Sequence, residues 1–223
     1  MRRRALPIRT ELRITATAGT LPHIHAVGGL AARRTGIDTV HFIGTAATPL
    51  GGDVLDIVVS VGEGARLTVR SVAATIALPG RETRKSVAHW RFEVAAGGEL
   101  NFDPEPTVVA GGAEHETFTA VTLEDGARLR LRERVQIGRT GEDHGYWSGE
   151  LTADVGPTPL LRHRLELGSD AVTDDALSAP RALESVLTYP DERQSETVGL
   201  DAALLPLAAG GTLFTRTARL LMA

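Results

Sequence analysis

The sequence contains no cysteine. This absence excludes disulfide frameworks, thiolate zinc sites and cysteine nucleophiles, and it fits a protein of the reducing cytoplasm. At the N-terminus, Arg9, Glu11 and Arg13 interrupt the chain before any apolar run of the length that a signal peptide needs. We therefore expect a mature, cytoplasmic protein.

Aromatic residues and net charge are also scarce. Aromatic residues make up 4% of the 223 residues, and 24 basic side chains are set against 28 acidic ones, for a net charge of −4. Duplex nucleic acid requires a basic surface, and single strands require aromatic side chains for stacking. No window approaches the roughly 18 apolar residues of a membrane-spanning helix. We expect neither a nucleic-acid partner nor a membrane partner.

The common sequence motifs of enzymes are missing. There is no Gly-x-x-x-x-Gly-Lys-Ser/Thr phosphate loop and no Gly-x-Gly-x-x-Gly between a strand and a helix. A Gly-x-Ser-x-Gly nucleophile elbow and a His-Glu-x-x-His zinc helix are absent as well. These absences argue against nucleotide binding and hydrolysis, and we expect a protein that is not an enzyme.

What the sequence does contain is a repeated unit of a glycine turn followed by an alternating strand. Such turns occur at Gly64, Gly97, Gly126 and Gly211, and alternation of apolar and polar residues is clear in 56–61, 86–94, 117–123 and 128–137. A chain of this length is typical of one large all-β domain. The pattern predicts a single, mainly β domain over residues 1–223, built from stacked antiparallel strands.

Two short helices are predicted near the C-terminus. The first spans 174–187, with Thr173 as its N-cap and with Asp174 in its first turn, where a carboxylate favours the helix dipole. The second spans 200–209 and ends at Gly210. The predicted architecture is therefore a β body with late helical additions.

Segment 128–137 has two different faces. Leu129, Leu131, Glu133 and Val135 lie on one face, and four arginines lie on the other. The arginines form either a solvated face or a surface for an acidic partner.

Three short turns place an acid where glycine or proline dictates the backbone. Asp53 follows Gly51 and Gly52, Glu105 lies between two prolines, and Glu142 ends a turn. An acid in such a turn can simply close it by accepting backbone N–H groups. The alternative is that the acids are placed for function. The motifs are Leu50-Gly51-Gly52-Asp53, Asp103-Pro104-Glu105-Pro106 and Gly138-Arg139-Thr140-Gly141-Glu142.

A pair of histidines, His23 and His25, is a candidate metal site. Alternate residues of a strand project to the same side, and two imidazoles placed in this way can bind a divalent metal. The pattern does not continue as in cupins, because Gly29 and Leu30 occupy the positions where a cupin has its acid. A polar surface with no metal is the alternative interpretation.

Read in order, the short motifs resemble the urease accessory protein family UreD, called UreH in some organisms. The resemblance is specific over about residues 45–150 and covers Leu50-Gly51-Gly52-Asp53, Gly64-Ala65-Arg66-Leu67, Ala73-Ala74-Thr75, Gly98-Glu99-Leu100, Pro104-Glu105-Pro106, Glu133, Gly138-Arg139 and Gly141-Glu142.

The resemblance implies a β-rich, helically coiled stack of strands that is not an enzyme. Members of that family bind apo-urease, dock the all-helical protein UreF, and through UreF recruit the nickel-carrying GTPase UreG. A polar internal channel is the proposed route of nickel to urease. We therefore expect no tightly bound cofactor, nickel as a transient cargo, and the urease apoprotein, UreF and UreG as partners.

The same resemblance implies roles for individual residues. Asp53, Glu142 and Thr75 are expected along the ion route. The other motif residues are expected to be structural: Gly51, Gly52, Glu105, Gly138, Arg139 and Gly141.

The chain departs from the family pattern in one segment. Where the family commonly has Thr-Gln-x-x-Thr-Lys followed by an aromatic residue and Arg, residues 71–78 read Ser-Val-Ala-Ala-Thr-Ile-Ala-Leu, so Val72 and Ile76 replace Gln and Lys. If this segment lines a channel, the channel is more apolar here. Two other functions stay open: a small metal-dependent β-fold enzyme using His23, His25 and one acid, and a β-rich interaction domain with no ion role.

Overall fold

A computed structural model describes residues 7–221 except 170, 173 and 175–178. Every secondary-structure element assigned within these residues is a strand. In chain order the strands are β1 (Arg9–Ala16), β2 (His23–Val27), β3 (Leu30–Arg34), β4 (Thr39–Gly44), β5 (Val54–Val61), β6 (Arg66–Ser71), β7 (Thr75–Ala77), β8 (Lys85–Val94), β9 (Glu99–Phe102), β10 (Thr107–Val109), β11 (Glu114–Leu123), β12 (Arg128–Ile137), β13 (Tyr146–Val155), β14 (Thr158–Gly168), β15 (Ala182–Tyr189), β16 (Glu196–Val198), β17 (Ala202–Pro206) and β18 (Thr212–Ala218).

The strands form two sheets packed on each other. The seven-stranded sheet has the order β14-β13-β11-β8-β5-β1-β2. The eleven-stranded sheet has the order β16-β17-β18-β15-β12-β9-β6-β4-β3, with β10 paired to β12 and to β7 beside this path. From β4 to β13 the long strands alternate between the two sheets, so the chain winds as a coil around one interior.

Successive turns of the coil stack in parallel. In the seven-stranded sheet β1, β5, β8, β11 and β13 are parallel neighbours, and in the eleven-stranded sheet β4, β6, β9 and β12 are. The corner turns stack too, because the N–H of Gly64 donates to Ala96 O at 3.1 Å and the N–H of Gly97 to Asp125 O at 3.3 Å. The body is thus a two-sheet β-solenoid.

The prediction that the fold is mainly β is confirmed, but the prediction of antiparallel stacking is wrong for the body of the molecule. The glycine turns at Gly64, Gly97 and Gly126 carry the chain from one sheet to the other rather than back along its own neighbour. A β-hairpin and a turn that leads into the other sheet both use glycine in the turn and both have alternating apolar and polar residues in the flanking strands. The sequence pattern therefore does not distinguish them. Antiparallel pairing is confined to the two ends, as in the β17–β18 hairpin closed by Gly210 and Gly211.

The two predicted C-terminal helices are also wrong. Residues 182–187 of the first lie in β15, which pairs with β12 and β18. Residues 202–206 of the second lie in β17, which pairs with β16 and β18. Long-range strand pairing and the burial of Leu183 and Leu187 override the local helix signals. Residues 175–178 of the predicted first helix, and its predicted N-cap Thr173, lie outside the described residues. No helix in the described part of the chain is long and apolar enough to cross a membrane.

The apolar interior is divided into two clusters. The larger cluster fills the space between the sheets near the corner turns and includes Leu12, Ile57, Leu67 and Leu100. The smaller cluster lies at the other end of the long strands and consists of Ala77, Val109, Ala113, Val135, Ile137, Trp147, Leu167 and Leu183. Inward positions on β11 and β12 that fall between these clusters carry polar side chains, and they border a cavity.

Candidate functional site

A cavity of about 540 Å³ lies between the two sheets. Much of its wall is apolar, including Phe42, Trp90, Phe102 and Leu131. Polar side chains interrupt this wall from both sides. They are His115, Thr117 and Thr119 of β11 on the seven-stranded sheet, and Glu133 of β12, Thr75 of β7 and Thr107 of β10 on the eleven-stranded sheet.

Glu133 is the acid on the inner face of β12. The positions two and four residues before it and two after it, Leu131, Leu129 and Val135, are buried apolar side chains. Within the described residues the Glu133 carboxyl has no hydrogen-bond or ion-pair partner. Burial raises its pKa from an ordinary value of 4.5 to about 7. It keeps some accessible surface because it lines the cavity, so this carboxyl is shielded from bulk water and open to a ligand inside.

His115 is the imidazole of the cavity wall. It is 4% exposed, and its Nδ1 lies 2.9 Å from the Ser86 hydroxyl oxygen. Burial lowers the pKa of His115 to about 4, so the ring is neutral at pH 7. Two residues on, the Trp147 indole N–H donates to the Thr117 hydroxyl at 3.1 Å. A neutral imidazole is the form that binds a metal ion.

The structure shows no dense metal cage around these two groups. Within residues 7–221, apart from 170, 173 and 175–178, no three His, Asp or Glu side chains come together in a way that holds a metal ion. Glu133 and His115 face one cavity from opposite sheets. Such an arrangement offers a passing cation one carboxylate and one imidazole, which favours exchange over storage.

Asp53 lies just behind the cavity wall. It is 1% exposed, its Oδ1 accepts the N–H of Ile8 at 2.7 Å, and its Oδ2 accepts the Thr48 hydroxyl at 2.8 Å and the N–H of Leu50 at 2.9 Å. Thr48 lines the cavity and Asp53 does not. The carboxylate therefore ties the β4–β5 loop to the segment before β1, and it is one hydrogen bond away from the cavity.

The glycines before Asp53 allow a close backbone approach. The N–H of Gly51 donates to Leu78 O at 2.9 Å, and a Cβ at Gly51 would lie 2.0 Å from the backbone oxygen of Thr83. The N–H of Gly52 donates to Lys85 O at 2.7 Å. Side chains at Gly51 would force these two loops apart.

Glu142 closes its own turn through Arg139. The N–H of Gly111 donates to Glu142 Oε2 at 2.7 Å and the N–H of Arg139 at 3.0 Å, while the Arg139 Nε contacts both carboxylate oxygens at 3.1 Å. The Arg139 guanidinium and these N–H groups lower the pKa of Glu142 to about 2. A Cβ at Gly138 would lie 2.1 Å from the Glu142 carbonyl oxygen, and Gly141 lies in the same turn. Arg139 lines the cavity and Glu142 does not.

Thr75 and Glu105 both border the cavity. The N–H of Thr75 donates to Pro106 O at 2.9 Å, which holds β7 beside the proline segment. The Glu105 side chain is 50% exposed and lies 3.6 Å from the Arg134 guanidinium. Its N–H donates to the Ser71 hydroxyl at 2.8 Å, so the backbone of this segment is fixed on both sides.

His23 and His25 lie on β2, at the edge of the seven-stranded sheet, and both are exposed. Their register partners on β1 are Thr15 and Arg13. The Arg13 guanidinium opposite His25 supplies positive charge where a metal site needs a ligand. Both histidines lie on the outside of the molecule, away from Glu133 and His115.

Comparison with known proteins places the chain in a family. A family model described as UreD urease accessory protein matches residues 11–200. The chain belongs to the UreD family. The relative named Urease accessory protein UreD 1 of Saccharopolyspora erythraea is 39% identical over 193 residues, which cover 85% of this chain and 76% of that protein. Urease accessory protein UreD of Streptomyces avermitilis is 38% identical over 232 residues, covering 96% and 92%. Urease accessory protein UreD of Frankia alni is 42% identical over 207 residues, covering 81% and 68%.

The comparisons confirm the family resemblance. They also confirm that this UreD-family chain is not an enzyme, because its relatives are named accessory proteins. The segment in which the chain departs from the family pattern lies at the cavity: Val72 is 65% exposed and Ile76 44% exposed, and both border it together with Thr75. In this member of the UreD family Val72 and Ile76 therefore give the cavity an apolar rim.

Sequence reasoning assigned no site role to Glu133 and His115, the titratable groups on the inner faces of β12 and β11. Glu133 was visible as one acid on an otherwise apolar strand face, which is the signal that should have singled it out. His115 begins an inward face of β11 that runs His115, Thr117, Thr119 and then Val121 and Leu123. Polar residues at the beginning of an inward strand face, followed by apolar ones, are the sequence signal that indicates a cavity on β11.

Proposed function

We propose that this protein is a scaffold for urease maturation that binds the urease apoprotein and a UreF partner, recruits the UreG GTPase through UreF, and passes nickel through the cavity between its sheets. The proposal combines membership of the UreD family with the chemistry of the cavity. The lack of cysteine fits action in the cytoplasm.

The observation that carries the ion role is the unpaired Glu133 carboxyl. Isolated carboxylates in an apolar surrounding are costly unless a cation or a proton compensates the charge. A nickel ion entering the cavity finds this carboxylate on one sheet and the neutral His115 imidazole on the other. Nickel accepts both oxygen and imidazole ligands, and a site with few ligands releases its ion readily.

Asp53, Glu142 and Thr75 fit this route in different ways. Thr75 offers a hydroxyl on the wall itself. Asp53 and Glu142 each contact a residue of the wall, Thr48 and Arg139. We propose that these two acids flank the route, hold the loops that form its walls and supply negative charge close to it.

The test is urease activation in cells that co-express the urease subunits, UreF, UreG and this protein. For Glu133→Gln we expect an intact co-purifying complex and at least a tenfold loss of nickel in urease, measured by metal analysis of the purified enzyme. Glu63→Gln, an exposed acid in a corner turn, is the matched control and should activate normally. Full nickel loading with Glu133→Gln would refute the ion role and leave a scaffold only, while a wild-type chain that binds neither urease nor UreF would refute the scaffold.

A further inference from the structure

The outer face of the seven-stranded sheet is uncovered in the described part of the chain. Its inner face packs against the other sheet, while its outer face carries a depression of about 430 Å³ across β1, β5, β8, β11 and β13. The depression is lined by side chains that include Arg13, Val58, Arg91, Phe118, Ala120 and Glu150.

Two arginines of this face form no ion pair within the described residues, although Glu11, Asp56 and Glu150 line the same depression. Arg13 and Arg91 are exposed, and neither makes an ion pair or hydrogen bond within the residues that the structure describes. They are in register with Val58, which lies between them on β5. The next strand continues the same row with Ala120. The floor between and beside the two guanidinium groups is therefore small and apolar.

The cations around this row are paired, which sets Arg13 and Arg91 apart. Arg9 pairs with Asp56 at 2.8 Å, Lys85 with Glu116 at 2.6 Å, and Arg162 with Asp154 at 2.6 Å. On the other sheet, too, Arg132 pairs with both Asp103 and Glu184. Unpaired arginines next to an apolar floor are the surface chemistry that an acidic partner complements.

An exposed aromatic side chain extends the apolar floor. Phe118 is 37% exposed and stacks on His89 with ring centroids 5.3 Å apart. In register on the next strand lies Glu150, which also has no partner within the described chain. Aromatic side chains and arginines are the residues that carry most of the binding energy in protein interfaces.

The spacing of the two arginines selects the form of the partner. They are two strands apart, which is about 9 to 10 Å at 4.7–4.9 Å per strand. Residues i and i+7 of an α-helix lie on one face about 10.5 Å apart. We propose that this face docks an acidic amphipathic helix of a protein partner, with two carboxylates on Arg13 and Arg91 and an apolar residue on Val58 and Ala120.

The experiment rests on the proposed function, since it uses the all-helical UreF as the partner in the co-expressed complex. The double variant Arg13→Glu/Arg91→Glu reverses both charges, and Arg66→Glu/Arg128→Glu reverses two exposed arginines on the outer face of the other sheet. We expect the first variant to retain urease but to bind UreF at least tenfold more weakly in a pull-down titration. The control variant should bind both proteins as the wild type does. Raising the salt concentration should weaken UreF binding by the wild type and by the control variant, because both keep Arg13 and Arg91.

A photocrosslinker at position 120, p-benzoylphenylalanine in place of Ala120, identifies what lies on the face. Crosslinks to an acidic helical segment of UreF, mapped by mass spectrometry, support the proposal. Undiminished UreF binding by the double reversal, loss of urease instead of UreF, or crosslinks to a basic or non-helical segment would each overturn it. A wild-type chain that binds neither protein would instead refute the function proposed above, so the two failures are distinguishable.

Discussion

Replacing the cavity acid should make the protein more stable, by an amount that grows as the pH rises from about 4.5 to about 7 and is constant above that range. In the folded chain the pKa of Glu133 is raised by burial from 4.5 to about 7. The folded state therefore holds this proton more tightly than the unfolded state, and the stability of the wild type falls as the pH rises from about 4.5 to about 7. At about 1.4 kcal/mol per pH unit, the full penalty above pH 7 is about 3 kcal/mol. Glu133→Gln removes it.

The assay is chemical unfolding of both proteins at several pH values. We expect the two proteins to be equally stable near pH 4.5, and the variant to be more stable by about 3 kcal/mol at pH 8, which is roughly 6 to 12 °C in Tm for a domain of this size. His115 titrates in the opposite sense: its pKa is lowered to about 4, so stability falls as the pH drops from about 6.5 towards 4. This contribution is common to both proteins and cancels in their difference.

Nickel provides the second arm of the same assay. A cation that binds the ionised Glu133 carboxylate offsets its penalty, so excess nickel should raise the Tm of the wild type at pH 8 and leave the Glu133→Gln variant unchanged. The Glu63→Gln control should follow the wild type throughout. A stability difference between wild type and variant that does not change with pH would refute the reasoning, because Glu133 would then titrate as an ordinary solvated acid.

Three further outcomes test the acid turns. Gly51→Ala should destabilise the fold by more than about 2 kcal/mol in urea unfolding, because its Cβ would lie 2.0 Å from a backbone oxygen. Gly112→Ala is the control: it has open space around it and a positive φ, so the fold should lose only about 1 kcal/mol. Asp53→Ala leaves three donors without their acceptor and should lose about 3 kcal/mol; lost urease activation at unchanged stability would instead point to a direct ion role. An NMR titration should show the pKa of Glu142 near 2 in the wild type and a pKa that returns towards 4.5 in Arg139→Ala. The contribution of this ion pair to the free energy of unfolding is therefore complete above about pH 4.5 and is lost as the pH falls towards 2. An unchanged pKa of Glu142 in Arg139→Ala would contradict the assignment.

The sequence located the strands of the body better than it located their pairing. The alternating segments 56–61, 86–94, 117–123 and 128–137 all lie within strands, namely β5, β8, β11 and β12. Their neighbours were mispredicted, because a glycine turn with alternation on both sides is common to a hairpin and to a crossing between sheets. At the C-terminus, acids after Thr173 and glycines at 210 and 211 suggested helix ends, whereas the pairing of β15 with β12 decides the structure there.

The candidate site divides in the same way. Asp53, Glu105 and Glu142 were recognisable because glycine and proline fix the backbone around them. Such local signals can be read from the sequence without knowledge of the tertiary structure. The cavity was not recognisable, because it depends on which positions of β11 and β12 meet between two apolar clusters. Its two signals in the sequence were Glu133 on the apolar face of β12 and the polar start of the inward face of β11 at His115.

The two titratable groups on the inner wall of the cavity lie close together in the sequence. His115 lies on β11 and Glu133 on β12, and these strands are joined by a single corner turn, so both groups lie within residues 114–137. Thr75 of β7 and Thr107 of β10 complete the polar part of the wall from outside this unit. Because the strands of this unit stack in parallel on those before it, the unit can be exchanged as one block wherever a relative keeps the same coil register. Transplanting it between UreD-family proteins would replace Glu133 and His115 together, and with them Phe118 and Ala120 of the outer face, while leaving Arg13 and Arg91 in place.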